Sequence, residues 1–438
     1  MRLFGTDGVR GIVNKDLDIF LATKIGVSAA YVLGKNKKIK VVIGRDTRIS
    51  GEMLSFAVTS GLLSMGAEVI DLGIVPTPLV SYLIQKYNAD MGVMISASHN
   101  PSEYNGIKLF NNLGMKLSDE IEDEIEANLN IMPDKEIGSY YVEENACTDY
   151  INHLKSTVSL KGNLKIVVDC ANGSASTTAP TLFKELGFDP IIINNKYDGL
   201  NINYKCGSTH LEMLKEEVLK NKADLGIAYD GDADRCLLID EDGNTIDGDT
   251  ILAINSLYLK ENYKLKNNTL VATVMSNLGL RNFCKKHDIN FVSTKVGDRY
   301  VLENMIENDY ILGGEQSGHI IFKNDANTGD GELTSIKTLE ILENKNISLS
   351  ELSKIITIYP QVLINVEVTK EIKENYKNDA NLNNLITSIE EELKDNGRVL
   401  IRPSGTENKI RIMLEGTNIE DITKKANIIK EAIENIKK

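Results

Sequence analysis

Short apolar, β-branched runs alternate with helical patterns along most of this chain, and the alternation starts over twice. Residues 40–44, 67–72 and 91–95 read as strands, separated by helices over 51–65 and about 78–87. The rhythm resumes with strands at 164–169, 190–193 and 225–229 around helices at 179–186 and 210–222. A third block has strands at 269–274 and 291–294 around a helix reaching about 286. Strands that are apolar throughout need cover on both faces, so each block predicts a sheet between helical layers. Three α/β units follow, with too little mutual identity to be repeats. From about 366 the pattern changes to one strand, a charged helix at 381–395, two neighbouring strands at 398–402 and 409–414, and a terminal helix at 419–436. That order suits a small α+β domain on an antiparallel sheet, with its Lys and Glu runs on solvated helix faces.

A chain of 438 residues with 42% apolar content can fill several cores. Its net charge of -14 argues against nonspecific nucleic-acid or anionic-membrane partners, which need a basic face. An anionic substrate would therefore need a local basic pocket. Five scattered cysteines without a C-x-x-C pair suit a reducing cytoplasm better than a disulfide framework or a zinc site. The first residues, MRLFGTDG, lack the apolar core of a signal peptide, and no apolar run is long enough to span a bilayer.

Against this background DGDADR at 230–235 stands out. Asp230, Asp232 and Asp234 follow one apolar run and precede another, which places them on a tight loop between two strands. Three crowded carboxylates repel one another unless a cation or several donors offset them, and an all-oxygen set suits Mg²⁺. An EF-hand is a rival, because Glu241 lies at position 12 of such a loop. However, Arg235 occupies the position that needs Gly, and no helices flank the loop. A solvated acidic turn without metal is the other alternative.

Ser98, in MISASHNP at 94–101, sits on a loop leaving an apolar strand and is a candidate nucleophile. It could equally hydrogen-bond its own turn. His99 suggests a Ser-His hydrolase, but neighbouring side chains on an extended chain point apart, and G-x-S-x-G is absent. Asn105-Gly106 reads as a turn that brings Lys108 back towards the serine; taken alone, that lysine would be exposed and inert. RPSGTEN at 402–408 offers Ser404, Gly405 and Thr406 with Arg402 and Arg411 nearby, a nest suited to phosphate or else an ordinary hairpin turn. GGEQSGH at 313–319 carries an acid, a hydroxyl and an imidazole, an inventory suited to sugar hydroxyls. No Walker A loop is present. A metal cage beside an oxygen nucleophile points to phosphoryl chemistry.

These loops, in this order and over essentially the whole chain, resemble the α-D-phosphohexomutase superfamily. FGTDGVRG (4–11), GRDTRISG (44–51), VVDCANG (167–173), KVGDRY (295–300) and GEQSGH (314–319) carry the likeness further, towards its glucosamine-phosphate branch. The resemblance implies a four-domain α/β architecture: three α/β domains with mixed sheets (1–152, 153–250, 251–365) and a C-terminal α+β domain with an antiparallel sheet (366–438). It implies that Ser98 is a phosphoserine and that Asp230, Asp232 and Asp234 hold Mg²⁺ together with an oxygen of Ser98. Arg10, Arg235 and Lys108 would surround the transferring group beside His99, with Lys108 as general acid/base. Lys295, Glu315, Ser317 and His319 would bind the sugar. Arg402, Ser404, Gly405, Thr406 and Arg411 would grip the phosphate that is not reacting.

The implied reaction interconverts glucosamine 6-phosphate and glucosamine 1-phosphate through a 1,6-bisphosphate that turns around while sequestered by closure of the fourth domain, feeding UDP-N-acetylglucosamine synthesis. The Glu315-Gln316-Ser317 form of the sugar loop favours the aminosugar. A phosphomannomutase or phosphoglucomutase of the same superfamily is the alternative, with a noncatalytic sugar-phosphate-binding protein or a phosphatase behind it. Members of this type suggest a homodimer, and either a kinase or a sugar bisphosphate would first phosphorylate Ser98. Two departures stand out: Ala233 where many members have Gly, at a cost of ~1 kcal/mol if φ is positive, and Asn408 in place of a commoner Pro.

Overall fold

The computed structural model describes residues 2–5, 7–35, 37–133, 135–404 and 408–436. The chain divides into two compact units, Met1–Met275 with His287–Ile355, and Ser276–Lys286 with Ile356–Lys438. Among the described residues no helix is long and apolar enough to cross a membrane.

In the first unit the all-apolar runs become the inner strands of three sheets. The first contains β1 (Val9–Ile12), β2 (Lys40–Arg45), β3 (Glu68–Ile74), β4 (Met91–Ile95), β5 (Tyr104–Phe110) and β6 (Ser139–Val142), in the order β1-β5-β4-β2-β3-β6. Strands β2, β3, β4 and β6 run parallel, whereas β5 turns back against β4 and β1 against β5. Every residue of β4 is buried, as expected for a strand covered on both faces, and the edge strand β6 is exposed throughout.

The second sheet holds β7 (Ile166–Asp169), β8 (Ile191–Ile193), β9 (Leu225–Tyr229), β10 (Cys236–Asp240) and β11 (Thr245–Ile246), in the order β11-β10-β9-β7-β8. The third holds β12 (Thr269–Thr273), β13 (Asn290–Thr294), β14 (Leu312–Gly314) and β15 (Ile320–Phe322), in the order β13-β12-β14-β15. Both are mixed: β9–β10, β10–β11 and β14–β15 are antiparallel and the remaining pairs parallel.

The second unit is built on β16 (Gln361–Glu367), β17 (Gly397–Pro403) and β18 (Lys409–Gly416), antiparallel in the order β16-β18-β17. Helix Ile419–Glu434 covers it, burying Ile422, Ala426, Ile429 and Ile433, which recur at helical spacing, in one core with Ile410, Ile412 and Leu414. Asn418 caps that helix by accepting the Glu420 and Asp421 N–H groups at 2.8 and 3.1 Å. Strand β16 spans the boundary expected at 365/366, because polar Gln361 and Asn365 conceal its first half. Helix Leu278–Lys286, expected in the third α/β block, groups with the tail.

One device recurs in all four sheets. An antiparallel pair of neighbours (β4–β5, β9–β10, β14–β15, β17–β18) is joined by a loop, and these are the loops that begin near Ser96, Asp230, Glu315 and Ser404. A loop leaving the carboxyl end of an inner strand is where α/β sheets place ligands. The turn expected at Asn105-Gly106 is instead part of β5, paired with Gly11 and Arg10 of β1. Glycine is needed there for space, since a Cβ would meet the Ser96 carbonyl oxygen at 2.6 Å.

Candidate active site

Three of the four loops meet within the first unit. Ser98 lies at the bend after β4 with φ 51°, a left-handed conformation that serine seldom adopts. Its Oγ donates to Asp230 Oδ2 at 2.6 Å. The expectation that Ser98 and His99 point apart fails, because it assumed extended backbone: at this φ the His99 Nδ1 lies 3.4 Å from Ser98 Oγ. The shorter contact is with the aspartate, not the imidazole, so the pair is not arranged as in a hydrolase.

Asp230, Asp232 and Asp234 occupy the β9–β10 loop, each no more than 4% exposed, which removes the solvated-turn alternative. The EF-hand also falls: strands flank the loop, and Glu241 is engaged elsewhere, accepting from Ser350 Oγ at 2.7 Å and Ser350 N at 3.1 Å. Ala233 takes φ 56°, the conformation that would suit glycine. Its carbonyl accepts the Gly331 N–H at 3.0 Å, which pins the loop from behind.

Lys108 is neither exposed nor inert. It sits on β5 opposite Met94, 1% exposed, with Nζ 2.7 Å from Asp232 Oδ2, 3.1 Å from Asp7 Oδ2 and 3.7 Å from Asp234 Oδ2. Burial works against its charge, but Asp232, Asp7 and Asp234 outweigh it and raise the amine's pKa above its ordinary value. Lys108 is therefore held as a cation. Burial likewise opposes the charge on Asp234, yet Lys108, His319 and Arg235 hold its carboxyl far below the usual range. Asp230 goes the other way, pushed well up by burial and by the Asp234 and Asp232 charges. Adjacent carboxylates thus differ in proton affinity because Lys108, His319 and Arg235 together outweigh burial at Asp234, whereas Arg235 does not outweigh burial and the neighbouring charges at Asp230.

The ligand atoms of the three aspartates lie within 4.8 Å of one another. Asp232 Oδ1 and Asp234 Oδ1 are buried and accept no hydrogen bond. Orphaned carboxylate oxygens converging in an all-oxygen set fit a hard divalent cation and disfavour a thiophilic one.

Around this centre the structure adds Asp7, Thr77, Lys116 and Asp298, to which no role had been given, and brings in His319, expected at the sugar. Asp7 joins Lys108, Arg10 and Lys116, whose Nζ lies 2.5 Å from Asp7 Oδ1 and 2.6 Å from Asp298 Oδ2. Thr77 Oγ1 donates to Asp232 Oδ2 at 2.5 Å. His319 is buried, with Nδ1 3.6 Å from Asp234 Oδ2 and Nε2 accepting the Gly329 N–H at 3.0 Å. Asp7 and Asp298 lie inside motifs already singled out, whereas Lys116 carries no sequence signal.

Arg235 donates its backbone N–H to Asp230 Oδ1 at 3.2 Å and has its guanidinium 3.8 Å from Asp234. Glu315 Oε1 accepts the Gly297 N–H at 3.2 Å, and Ser317 Oγ is buried without a hydrogen-bond partner. Gln316 turns aside to Asp247 Oδ2 at 3.2 Å. Lys295 stands apart from the cluster, exposed and 5.6 Å above the Tyr300 ring.

In the second unit Arg402 and Arg411 face each other directly across β17 and β18, and burial together with Arg411 pushes the Arg402 pKa down. Two like charges opposed in a sheet repel and are relieved by an anion. Ser404 is buried beside them; Gly405 and Thr406 lie outside the described residues.

His99 gives a direct check on these electrostatics. Burial, then Arg235 and Arg10, push its pKa down to about 4. The expected result of an NMR imidazole titration, assigned with His99→Gln, is a ring that stays neutral from pH 8 to about 5. A midpoint near the usual 6.5 would mean that neither burial nor the two arginines act on the ring as described.

Models of the phosphoglucomutase/phosphomannomutase α/β/α domains I, II and III match residues 1–133, 148–243 and 247–359, and the model of the C-terminal domain matches 363–432. The chain is 52% identical over 444 residues to a phosphoglucosamine mutase of Acetivibrio thermocellus and 53% identical over 443 residues to one of Clostridium beijerinckii, covering 99% of each chain in both cases. Among solved structures it resembles a phosphoglucomutase/phosphomannomutase family protein of Burkholderia thailandensis, with a TM-score of 0.86 at 24% identity, covering 100% of this chain and 98% of that one.

Proposed function

The chain belongs to the phosphoglucomutase/phosphomannomutase family and is an isomerase of the mutase type, and on that premise we propose that it interconverts glucosamine 6-phosphate and glucosamine 1-phosphate. The observation that carries the chemistry is Ser98 Oγ set 2.6 Å from Asp230 in a buried cluster of three aspartates and a lysine. The aminosugar rests on the likeness to phosphoglucosamine mutases over the full length.

Phosphorylated Ser98 gives up its phosphoryl group to a sugar hydroxyl: the Ser98 Oγ–P bond breaks as the sugar O–P bond forms. The resulting glucosamine 1,6-bisphosphate turns around and returns its other phosphate to Ser98. Arg10, Arg235 and Lys108 offset charge on the equatorial oxygens, which is most of what phosphoryl transfer asks of a protein. Lys108 exchanges the proton of the accepting hydroxyl. Glu315 and Ser317, with His319 beside them, hold sugar hydroxyls, and Lys295 is assigned to the same subsite. To the tail loop, Arg402, Ser404, Gly405, Thr406 and Arg411, we assign the second phosphate. Asp230, Asp232 and Asp234 would hold Mg²⁺ together with an oxygen of Ser98; when bound, the ion supplies positive charge to the phosphoryl group and, by competing for the aspartates, draws the Lys108 pKa down.

The same reading carries cytoplasmic placement, a homodimer, initial phosphorylation of Ser98 by a kinase or a sugar bisphosphate, and supply of product to UDP-N-acetylglucosamine synthesis. The test is turnover of glucosamine 6-phosphate, glucose 6-phosphate and mannose 6-phosphate by the phosphorylated protein with Mg²⁺. The expected kcat/KM for the aminosugar is about tenfold or more above the others, on the order of 1.4 kcal/mol of discrimination. Equal turnover of the neutral sugars would make this a general hexose phosphate mutase instead, and release of inorganic phosphate in place of isomer would make it a phosphatase.

A further inference from the structure

The Ser98 loop is held in its unusual conformation by a side chain that touches neither Ser98 Oγ nor the aspartate trio. Arg48 follows β2, and its side chain is completely buried. All five of its guanidinium N–H donors are spent inside the protein. Nε pairs with Asp46 Oδ2 at 2.9 Å. Nη1 donates to the carbonyls of Pro101 and, at 3.0 Å, Tyr104. Nη2 donates to the carbonyls of Ser98 at 2.9 Å and Asn100 at 2.8 Å. No donor is left for a substrate, so this arginine works on its own loop.

Two further groups complete the clamp. Asp46 Oδ2 also accepts Ser96 Oγ at 2.7 Å, and that hydroxyl accepts the Ser98 N–H at 2.9 Å. From the second sheet's side, Asn203 Nδ2 donates to the same carbonyls of Ser98 at 2.9 Å and Asn100 at 3.1 Å. Both peptide groups of Ser98 are thus fixed, and only rotation about its side-chain bond remains. Between the Ser96 N–H, which donates to the Gly106 carbonyl of β5 at 3.0 Å, and the Glu103 carbonyl, which accepts the Val13 N–H at 3.0 Å, segment 97–102 is neither strand nor helix, and left-handed backbone at a serine is unfavourable by ~1 kcal/mol. Phosphoryl transfer adds about two negative charges to Ser98 and removes them again in each cycle. A loop anchored through its carbonyls keeps Oγ in line through that change.

We propose that Arg48, backed by Asp46 and assisted by Asn203, is the positioning residue that holds the Ser98 backbone in register with Asp230. This rests on the reading of Ser98 as the phosphoryl carrier. Lysine cannot replace it, since one ammonium offers three donors from a single point where the planar fork serves five acceptor contacts.

The test compares the full-length wild type with Arg48→Lys and Asn203→Ala. The expected kcat loss is about 100-fold for Arg48→Lys and about tenfold for Asn203→Ala, with the hexose-phosphate KM within about twofold of wild type, because misplacement of a reacting atom costs rate and not affinity. Hydrogen exchange at the amides of Ser98, His99, Asn100, Ser102 and Glu103 should accelerate in both variants while β4 and β5 stay protected. Asn203→Ala keeps the test alive if Arg48→Lys fails to fold. Wild-type kcat with unchanged loop exchange in Asn203→Ala, or a loss confined to KM, overturns the proposal. The exchange readout needs no turnover. A wild type that isomerises no hexose phosphate therefore defeats the functional reading alone, and loop exchange still decides the clamp.

Discussion

Ser98→Ala loses at least about 10⁴-fold in kcat for hexose phosphate isomerisation, the scale expected when a covalent nucleophile is removed. The fold should survive, because the contacts that anchor residue 98, its carbonyl to Arg48 and Asn203 and its N–H to Ser96, involve only its backbone atoms. What the variant loses is the Oγ–Asp230 hydrogen bond and the oxygen that carries phosphate. Stopped turnover at an unchanged thermal midpoint is therefore the expected pair of observations. Retained activity in a correctly folded Ser98→Ala protein would move the phosphoryl carrier to another residue or to the solvent.

Lys108→Met tests the electrostatic half of the site. The amine sits among Asp232, Asp7 and Asp234 and is itself buried, so methionine fills much of the volume but takes the cation nearest to Asp232 away and leaves Asp7 to Arg10 and Lys116 and Asp234 to Arg235 and His319. Removing one partner from a buried charge cluster costs about 3–5 kcal/mol, seen as a lower thermal midpoint, and activity should fall with it. The distinguishing observation is the response to Mg²⁺. Uncompensated aspartates bind a cation more strongly, so added Mg²⁺ should raise the thermal midpoint of Lys108→Met by more than it raises that of the wild type. A variant as stable as the wild type, or one indifferent to Mg²⁺, would mean that the lysine and the metal do not share these carboxylates.

Much of this is legible in the sequence alone, and the reasons differ from residue to residue. Strands β4 and β9 are apolar from end to end, and β2 and β12 are apolar between polar end residues, so burial on both faces follows from composition alone. Asp230, Asp232 and Asp234 were readable as a cage because they are close in sequence and bracketed by strands. Strand β5 was not readable: Asn105-Gly106 is a strong turn signal, and only the close approach of the Ser96 carbonyl explains a glycine in mid-strand. The geometry of Ser98 and His99 was misjudged for a related cause, since a positive φ cannot be inferred at a serine whose conformation is imposed by Arg48 and Asn203 from elsewhere in the chain.

Charge partnerships over long sequence separations were the least visible. Lys116 with Asp298, and Lys108 with Asp232, are separated by more than a hundred residues and meet only because separate sheets bring their loops together. An isolated lysine is ordinarily exposed, and nothing local marked Lys108 as one of the largest fully buried side chains in the protein.

The central claim is that Ser98 carries phosphate between the two ends of a sugar, and intact-mass measurement tests it most directly. Dephosphorylated protein is mixed with a hexose 1,6-bisphosphate and Mg²⁺, then chased with hexose monophosphate, with phosphopeptide mapping at each stage. The expected result is a gain of one phosphoryl group mapped to Ser98, its loss on the chase, and no gain in Ser98→Ala. A phosphoryl group that maps elsewhere, or turnover by a protein that never acquires one, would contradict the account.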